Sequence, residues 1–121
     1  MKKILIVEDH ADIRRLIRMT LEFEDFEIYE AADGDSGLAM ALAVAPDLVL
    51  LDVMMPGVLS GLDVCRALQG LQNPPRLLLL TARGRAEDLA EGLQAGADGY
   101  MVKPFSPLQL IENINQQLEP A

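Results

Sequence analysis

A chain of 121 residues is near the usual size of one domain and long enough to bury a real core, so residues 1–121 are expected to form a single domain. Its 19 acidic residues against 10 Lys and Arg give a net charge of −9, which argues against direct nucleic-acid binding, because phosphate contacts need clustered Lys and Arg. One Cys excludes an internal disulfide, and no apolar segment is both long enough to span a bilayer and free of charges or turn residues; a reducing, cytoplasmic setting without membrane contact is expected.

The first apolar run, Ile4 to Val7, reads as a strand from Lys3 to Val7 and stops at Glu8-Asp9. Met1-Lys2-Lys3 could be misread as the start of a signal peptide, but the acidic pair ends the apolar stretch too soon. A first helix is expected from Asp12, whose charge suits a helix N-terminus, with Ile13, Leu16, Ile17 and Leu21 on one stripe. Glu27 to Ala31 reads as the second strand, and Asp33 caps a helix reaching Ala43. Pro46-Asp47 then breaks the chain, since proline fixes its own φ and cannot donate into a ladder.

The third strand, Leu48 to Leu51, stops at Asp52, and a helix follows from Gly61 to Leu71 with Leu62, Cys65 and Leu68 on its buried stripe. Leu77 to Leu80 is the fourth strand, stopping at Thr81, and its helix covers Arg85 to Ala95. The fifth strand, Tyr100 to Val102, stops at Lys103-Pro104 before a last helix from Pro107 to Leu118. Strands this apolar must be covered on both faces, which predicts an α/β fold with a central parallel sheet between helices.

Parallel neighbours bring the carboxyl ends of their strands to one edge, where open α/β sheets place their ligands. The carboxylates of Glu8, Asp9 and Asp52 then meet the Thr81 hydroxyl and the Lys103 ammonium. Two carboxylates about 4 Å apart repel by roughly 4 kcal/mol at an effective dielectric near 20, so the group demands a cation. One lysine cannot neutralise three acids, and an all-oxygen site with open water positions suits a hard divalent ion, Mg2+ before Ca2+. The arrangement reads as a metal-assisted phosphoryl site.

Taken in order, Glu8-Asp9, Asp52-Val-Met-Met-Pro56, Thr81-Ala82, Gly96-Ala97-Asp98-Gly99-Tyr100 and Lys103-Pro104-Phe105 resemble the receiver (CheY-like) domain of two-component response regulators. The resemblance runs from Lys3 to about Leu118. Each motif is weak alone; together, in order and at these spacings, they are specific. The family resemblance implies a doubly wound, flavodoxin-like, five-stranded sheet in the order 2-1-3-4-5 with five helices on its two faces. It implies a signalling switch rather than a metabolic enzyme, one that assists its own phosphorylation and dephosphorylation. Its implied partners are a histidine kinase or histidine phosphotransfer protein as donor and a downstream output domain or protein.

Asp52 is the expected phosphoacceptor, being the only acid at the end of the central buried strand, where a nucleophile can be held rigidly. The bland alternative is an aspartate that caps the following turn. By the resemblance, Asp9 binds Mg2+ directly, Glu8 acts through water, and the Met54 backbone carbonyl, not its side chain, completes the set with Asp52. Lys103 supplies a point charge for Asp52 before reaction and for the phosphoryl group afterwards. The resemblance also implies a cis Lys103-Pro104 bond. Thr81 offers a hydroxyl and Ala82 an amide to the phosphoryl oxygens. Thr81 and Tyr100 form the expected switch pair, with Tyr100 filling the space that Thr81 vacates; a wet amphipathic tyrosine is the competing reading.

His10 reads as an exposed loop residue. Arg14, Arg15 and Arg18 read either as a docking patch for the phosphoryl donor, as on similar receivers, or as a solvated helix face. Arg83 and Met54 flank the expected water path. Two features depart from the family pattern: Pro56 and Gly61 are one residue further apart than usual, and Ser106 to Leu118 has no Lys or Arg. The family's basic dimer contact in that helix is therefore not carried over, and homodimerisation on phosphorylation stays open. Other readings are a receiver-like interaction module that is never phosphorylated, and a Mg2+-dependent phosphatase with an aspartyl nucleophile. The phosphatase wants an acid where Met54 stands. A flavin carrier of the same topology is disfavoured, because Glu8-Asp9 would repel its phosphate.

Overall fold

The computed structural model describes residues 1–55, 59–82 and 86–119, and side chains except those of residues 86–89. Five strands alternate with five helices: β1 (Lys2–Val7), α1 (Ala11–Leu21), β2 (Phe26–Ala31), α2 (Gly34–Val44), β3 (Leu48–Asp52), α3 (Gly61–Gln69), β4 (Arg76–Ala82), α4 (Ala86–Gln94), β5 (Gly99–Lys103) and α5 (Pro107–Leu118). All strands are parallel in one sheet ordered β2-β1-β3-β4-β5, as expected.

The apolar runs are buried on both faces because alternate side chains of a strand point to opposite sides. Leu5, Val7, Val49, Leu51, Leu77 and Leu79 pack with Ala41 of α2 and Val64, Cys65 and Leu68 of α3. Ile4, Ile6, Leu48, Leu50, Leu78 and Leu80 pack on the opposite face with Ile17 and Leu21 of α1 and Leu110 and Ile114 of α5. α4 joins the first layer: a Cβ on Gly92 would overlap Leu79 Cδ1, so glycine permits that close approach.

The strands run past their apolar segments. Asp52 pairs in register with Leu80, and Ala82 with Lys103, so the motif residues are the last members of β3, β4 and β5 and not the loop residues after them. Ladder hydrogen bonds engage the backbone whatever the side chain, so hydropathy alone ends a strand too early. Asp33 caps α2 as anticipated, its carboxylate accepting from the Ser36 amide at 2.7 Å. Leu16 departs from the predicted stripe of α1: it is half exposed while Ile17 and Leu21 are fully buried, since Leu16 lies one residue, about 100°, off the line through Ile13, Ile17 and Leu21. α4 ends one residue before Ala95, at a turn where Gly96 takes φ +105°. The predicted helix start at Arg85 lies outside the described residues, as do Arg83 and Pro56.

Candidate functional site

The carboxyl ends of β1, β3 and β5 form one edge. Glu8 follows β1, and its amide still donates to Ala31 O of β2 at 3.1 Å, which carries the strand's direction into the loop. Asp52 closes β3 between two neighbours and is almost wholly buried. α3 starts close beneath it, because a Cβ on Gly61 would overlap the Asp52 carbonyl oxygen. Ser60 and Asp63 secure that helix start with reciprocal hydrogen bonds, Ser60 N donating to Asp63 at 3.0 Å and Asp63 N to Ser60 Oγ at 3.2 Å. Lys103 ends β5, and the Lys103-Pro104 bond is cis.

Four of the predicted residues converge. Lys103 Nζ lies 2.6 Å from Glu8 Oε1 and 3.4 Å from Asp52 Oδ1. Asp52 Oδ1 also accepts from the Met54 amide at 3.2 Å, whereas Asp52 Oδ2 is buried without a hydrogen-bond partner among the described residues. Ligand atoms of Glu8, Asp9, His10 and Asp52 all lie within 4.8 Å of one another. The lysine expected to pair with Asp52 thus sits closer to Glu8, which is the more deeply buried of the acidic pair.

Three carboxylates around one ammonium cannot all stay charged at no cost. Burial first, then hydrogen bonding with Glu8 and Asp9 and the charge of Glu8, push Asp52 up to about 8, against the pull of Lys103. Burial would raise Glu8 too, but hydrogen bonding to Asp52, Lys103, Asp9 and the His10 amide outweighs it and holds that carboxyl below its usual range. Asp52 is therefore the acid of this group that holds its proton most tightly. Three carboxylates that supply hard oxygen donors, an excess of negative charge and a buried oxygen lacking a partner among the described residues together fit a divalent cation of the Mg2+ class, with the His10 nitrogen beside them.

The remaining predicted residues stand nearby but engage differently. Thr81 is buried at the end of β4, with its hydroxyl donating to Ala82 O at 3.4 Å. Ala82 is exposed at the same edge. Tyr100 is 45% exposed on β5, beside a cavity of about 300 Å3 that Val102, Phe105, Gln109 and Asn113 also line. The Met54 side chain is half exposed.

Two further residues belong to the site. His10, expected in solvent, is exposed, yet its Nδ1 lies 3.3 Å from Glu8 Oε2 and 3.2 Å from Asp9 Oδ1. That ring is turned back onto the carboxylates, and α1 starts at Ala11 without a side-chain cap from it. Its place directly after the acidic pair was the available signal. Arg14 donates from Nη1 to the Glu8 carbonyl at 2.7 Å and pairs with Glu30 of β2 at 3.5 Å. Arg18 also reaches Glu30, at 2.7 Å, so two of the three arginines of the suggested patch are turned toward β2. No sequence pattern announced these partners.

Residues 4–115 match the family model of the response regulator receiver domain. The chain is 44% identical over 119 residues to the transcriptional regulatory protein ResD of Bacillus subtilis, covering 98% of this chain and 49% of that protein. It is 38% identical over 117 residues to the DNA-binding response regulator MtrA of Mycobacterium tuberculosis, covering 97% of this chain and 50% of MtrA. It therefore spans about half the length of these curated relatives. Among solved structures, the chemotaxis response regulator CheY4 of Vibrio cholerae superposes with a TM-score of 0.88 at 35% identity, covering 98% of this chain and 99% of that one. The name of MtrA conflicts with the expectation that nucleic acid is no partner, and that expectation is withdrawn. The net charge of −9 speaks only for these 121 residues. Among the described residues, no helix is long and apolar enough to cross a membrane.

Proposed function

The chain belongs to the response regulator receiver domain family, and on that premise we propose that residues 1–121 act as one cytoplasmic phosphoacceptor switch in a two-component phosphorelay. The observation that carries this reading is Asp52: a buried carboxylate with one oxygen lacking a partner, flanked by Lys103 and the acidic pair.

Asp52 Oδ2 is the oxygen available to attack. With its proton given up to solvent, it forms a bond to the phosphorus of a phosphohistidine on a kinase or phosphotransfer protein, the P–N bond breaks, and the imidazole leaves with that electron pair. Asp9 and Asp52 would hold Mg2+ directly, with the Met54 carbonyl completing the set and Glu8 acting through water. When bound, the ion neutralises charge on the attacking and transferred oxygens. Lys103 supplies a second positive centre, released from Glu8 toward the phosphoryl group, and the Ala82 amide donates from the other side. Most of the rate arises from positioning and charge neutralisation, as phosphoryl transfer generally allows. Thr81 exchanges its hydrogen bond to Ala82 O for one to the phosphoryl oxygen, and Tyr100 moves from its exposed position into the space left behind. That movement alters the outer face of β5 and α5 for an output domain or protein. The chain is a switch and turns over no metabolite.

Incubation with acetyl phosphate and Mg2+, read by intact mass, tests the acceptor. A phosphate-sized gain in the unaltered chain that chelator abolishes and Asp52→Asn lacks is expected. A gain that persists in Asp52→Asn would sink the assignment. No gain with either acetyl phosphate or a phosphorylated histidine donor, despite bound Mg2+, would favour a module that signals by binding alone.

A further inference from the structure

We infer that Arg14 is a positioning residue of this site, a latch that sets the direction of the Glu8–Asp9 peptide and so aims both carboxylates at Asp52; the inference rests on the Mg2+-assisted reading above. β1 ends at Val7, and past Glu8 no strand restrains the chain before α1 begins. Besides the His10 amide donating to Glu8 Oε2 at 3.2 Å, two hydrogen bonds hold the backbone of Glu8 itself. The Glu8 amide donates to Ala31 O at 3.1 Å, and the Glu8 carbonyl accepts from Arg14 Nη1 at 2.7 Å. Each residue has only two soft backbone dihedrals, so holding the peptides on both sides of Glu8 leaves little freedom in where Asp9 departs.

The latch is itself held. The Arg14 side chain is only 22% exposed, and its Nε faces Glu30 Oε1 at 3.5 Å. The other oxygen of Glu30 takes Arg18 Nη1 at 2.7 Å, and Glu30 stands opposite Ile6 in the β1–β2 ladder. Arg14 therefore ties α1, the acidic loop and β2 together. A guanidinium suits this task because its fixed fork of donors serves a carbonyl and a carboxylate at once, whereas an ammonium is a single point charge. The Arg14 amide also donates to His10 O at 3.0 Å, placing the latch one helical turn after the residue that follows the acidic pair. Arg14 touches no reacting atom, and its guanidinium is engaged inward, which removes it from the docking patch that the sequence suggested.

The experiment is Mg2+ titration by calorimetry on the full chain, alongside metal-free melting. Arg14→Met, which keeps the apolar stem, is expected to weaken Mg2+ binding about tenfold, the usual scale for groups that orient metal ligands. Arg18→Met, one link further out, should stay within about twofold. Arg14→Lys should fall between, and it serves as the test should the methionine variant not fold. Glu30→Gln should weaken binding in the native background but add little to Arg14→Met, because both act through one connection. A lower melting temperature with unchanged Mg2+ affinity in Arg14→Met or Arg14→Lys would overturn the inference and leave a merely structural arginine. An unaltered chain that binds no Mg2+ would overturn the functional reading itself, and the inference with it.

Discussion

Aspartates stand at both ends of this sheet, and the two ends treat them in opposite ways. At the amino edge, Asp47 Oδ2 accepts from the Lys3 amide at 2.8 Å, and Asp98 Oδ2 accepts from the Leu77 amide at 2.8 Å while its Oδ1 takes Arg76 Nη1 at 3.2 Å. Each acid there meets donors of its own. At the carboxyl edge, Glu8, Asp9 and Asp52 face one another beside Lys103, and Asp52 Oδ2 meets no donor among the described residues. The amino edge is built for stability. The carboxyl edge retains a strained charge group that a bound cation would relieve, the pattern expected where a local rule is broken for function.

The most severe way to break the contrast is Lys103→Met. Removing this ammonium from among the buried acids should cost about 3 kcal/mol in metal-free urea denaturation. Saturating Mg2+ should recover part of that loss, and a variant as stable as the parent without metal would refute the account of strain. Asp98→Ala probes the other edge. It strands the buried Leu77 amide and should cost about 2 kcal/mol, with Mg2+ affinity unchanged within about twofold. A marked change in affinity would show that the two edges are coupled.

The retained proton gives a third measurement. Mg2+ needs Asp52 as a carboxylate, and Asp52 titrates near 8 in the metal-free protein. Affinity should therefore rise up to about tenfold per pH unit below that value and level off above it, the limit for one released proton. A flat profile between pH 6 and pH 8 would contradict it. The smallest effect expected is on stability without metal. Because the folded pKa of Asp52 is raised, the stability its proton contributes is full at low pH and is lost as pH rises toward about 8. Glu8 is lowered, so its contribution is present above its ordinary value and lost on acidification. Asp52→Asn removes the first effect and should raise metal-free stability at pH 8 by about 1 kcal/mol, a few degrees in melting temperature. A lower melting temperature would mean that the Asp52 charge is not a burden.

Much of the site was legible because hydropathy is a property of adjacent residues. The apolar runs located four of the five strands within one or two residues, and the polar residues that end those four were the ones gathered at the carboxyl edge. Partners were less legible. Lys103 was matched to Asp52 yet stands nearer to Glu8, and His10, assigned to solvent, touches the acidic pair. Leu16 misled because helical position is set by angle and not merely by apolar character.

The sequence by itself determined the parallel α/β plan, through runs that demand cover on both faces, and the chemical set of three acids, a hydroxyl and an ammonium. Only the tertiary structure decided which of the acids holds its proton most tightly, which one the lysine favours, that Arg14 reaches the Glu8 carbonyl, and that Gly61 lets α3 start against the Asp52 carbonyl. The reason is one of range. Burial patterns follow from neighbours along the chain, whereas charge and hydrogen-bond energies depend on ångström distances between residues that the sequence keeps far apart.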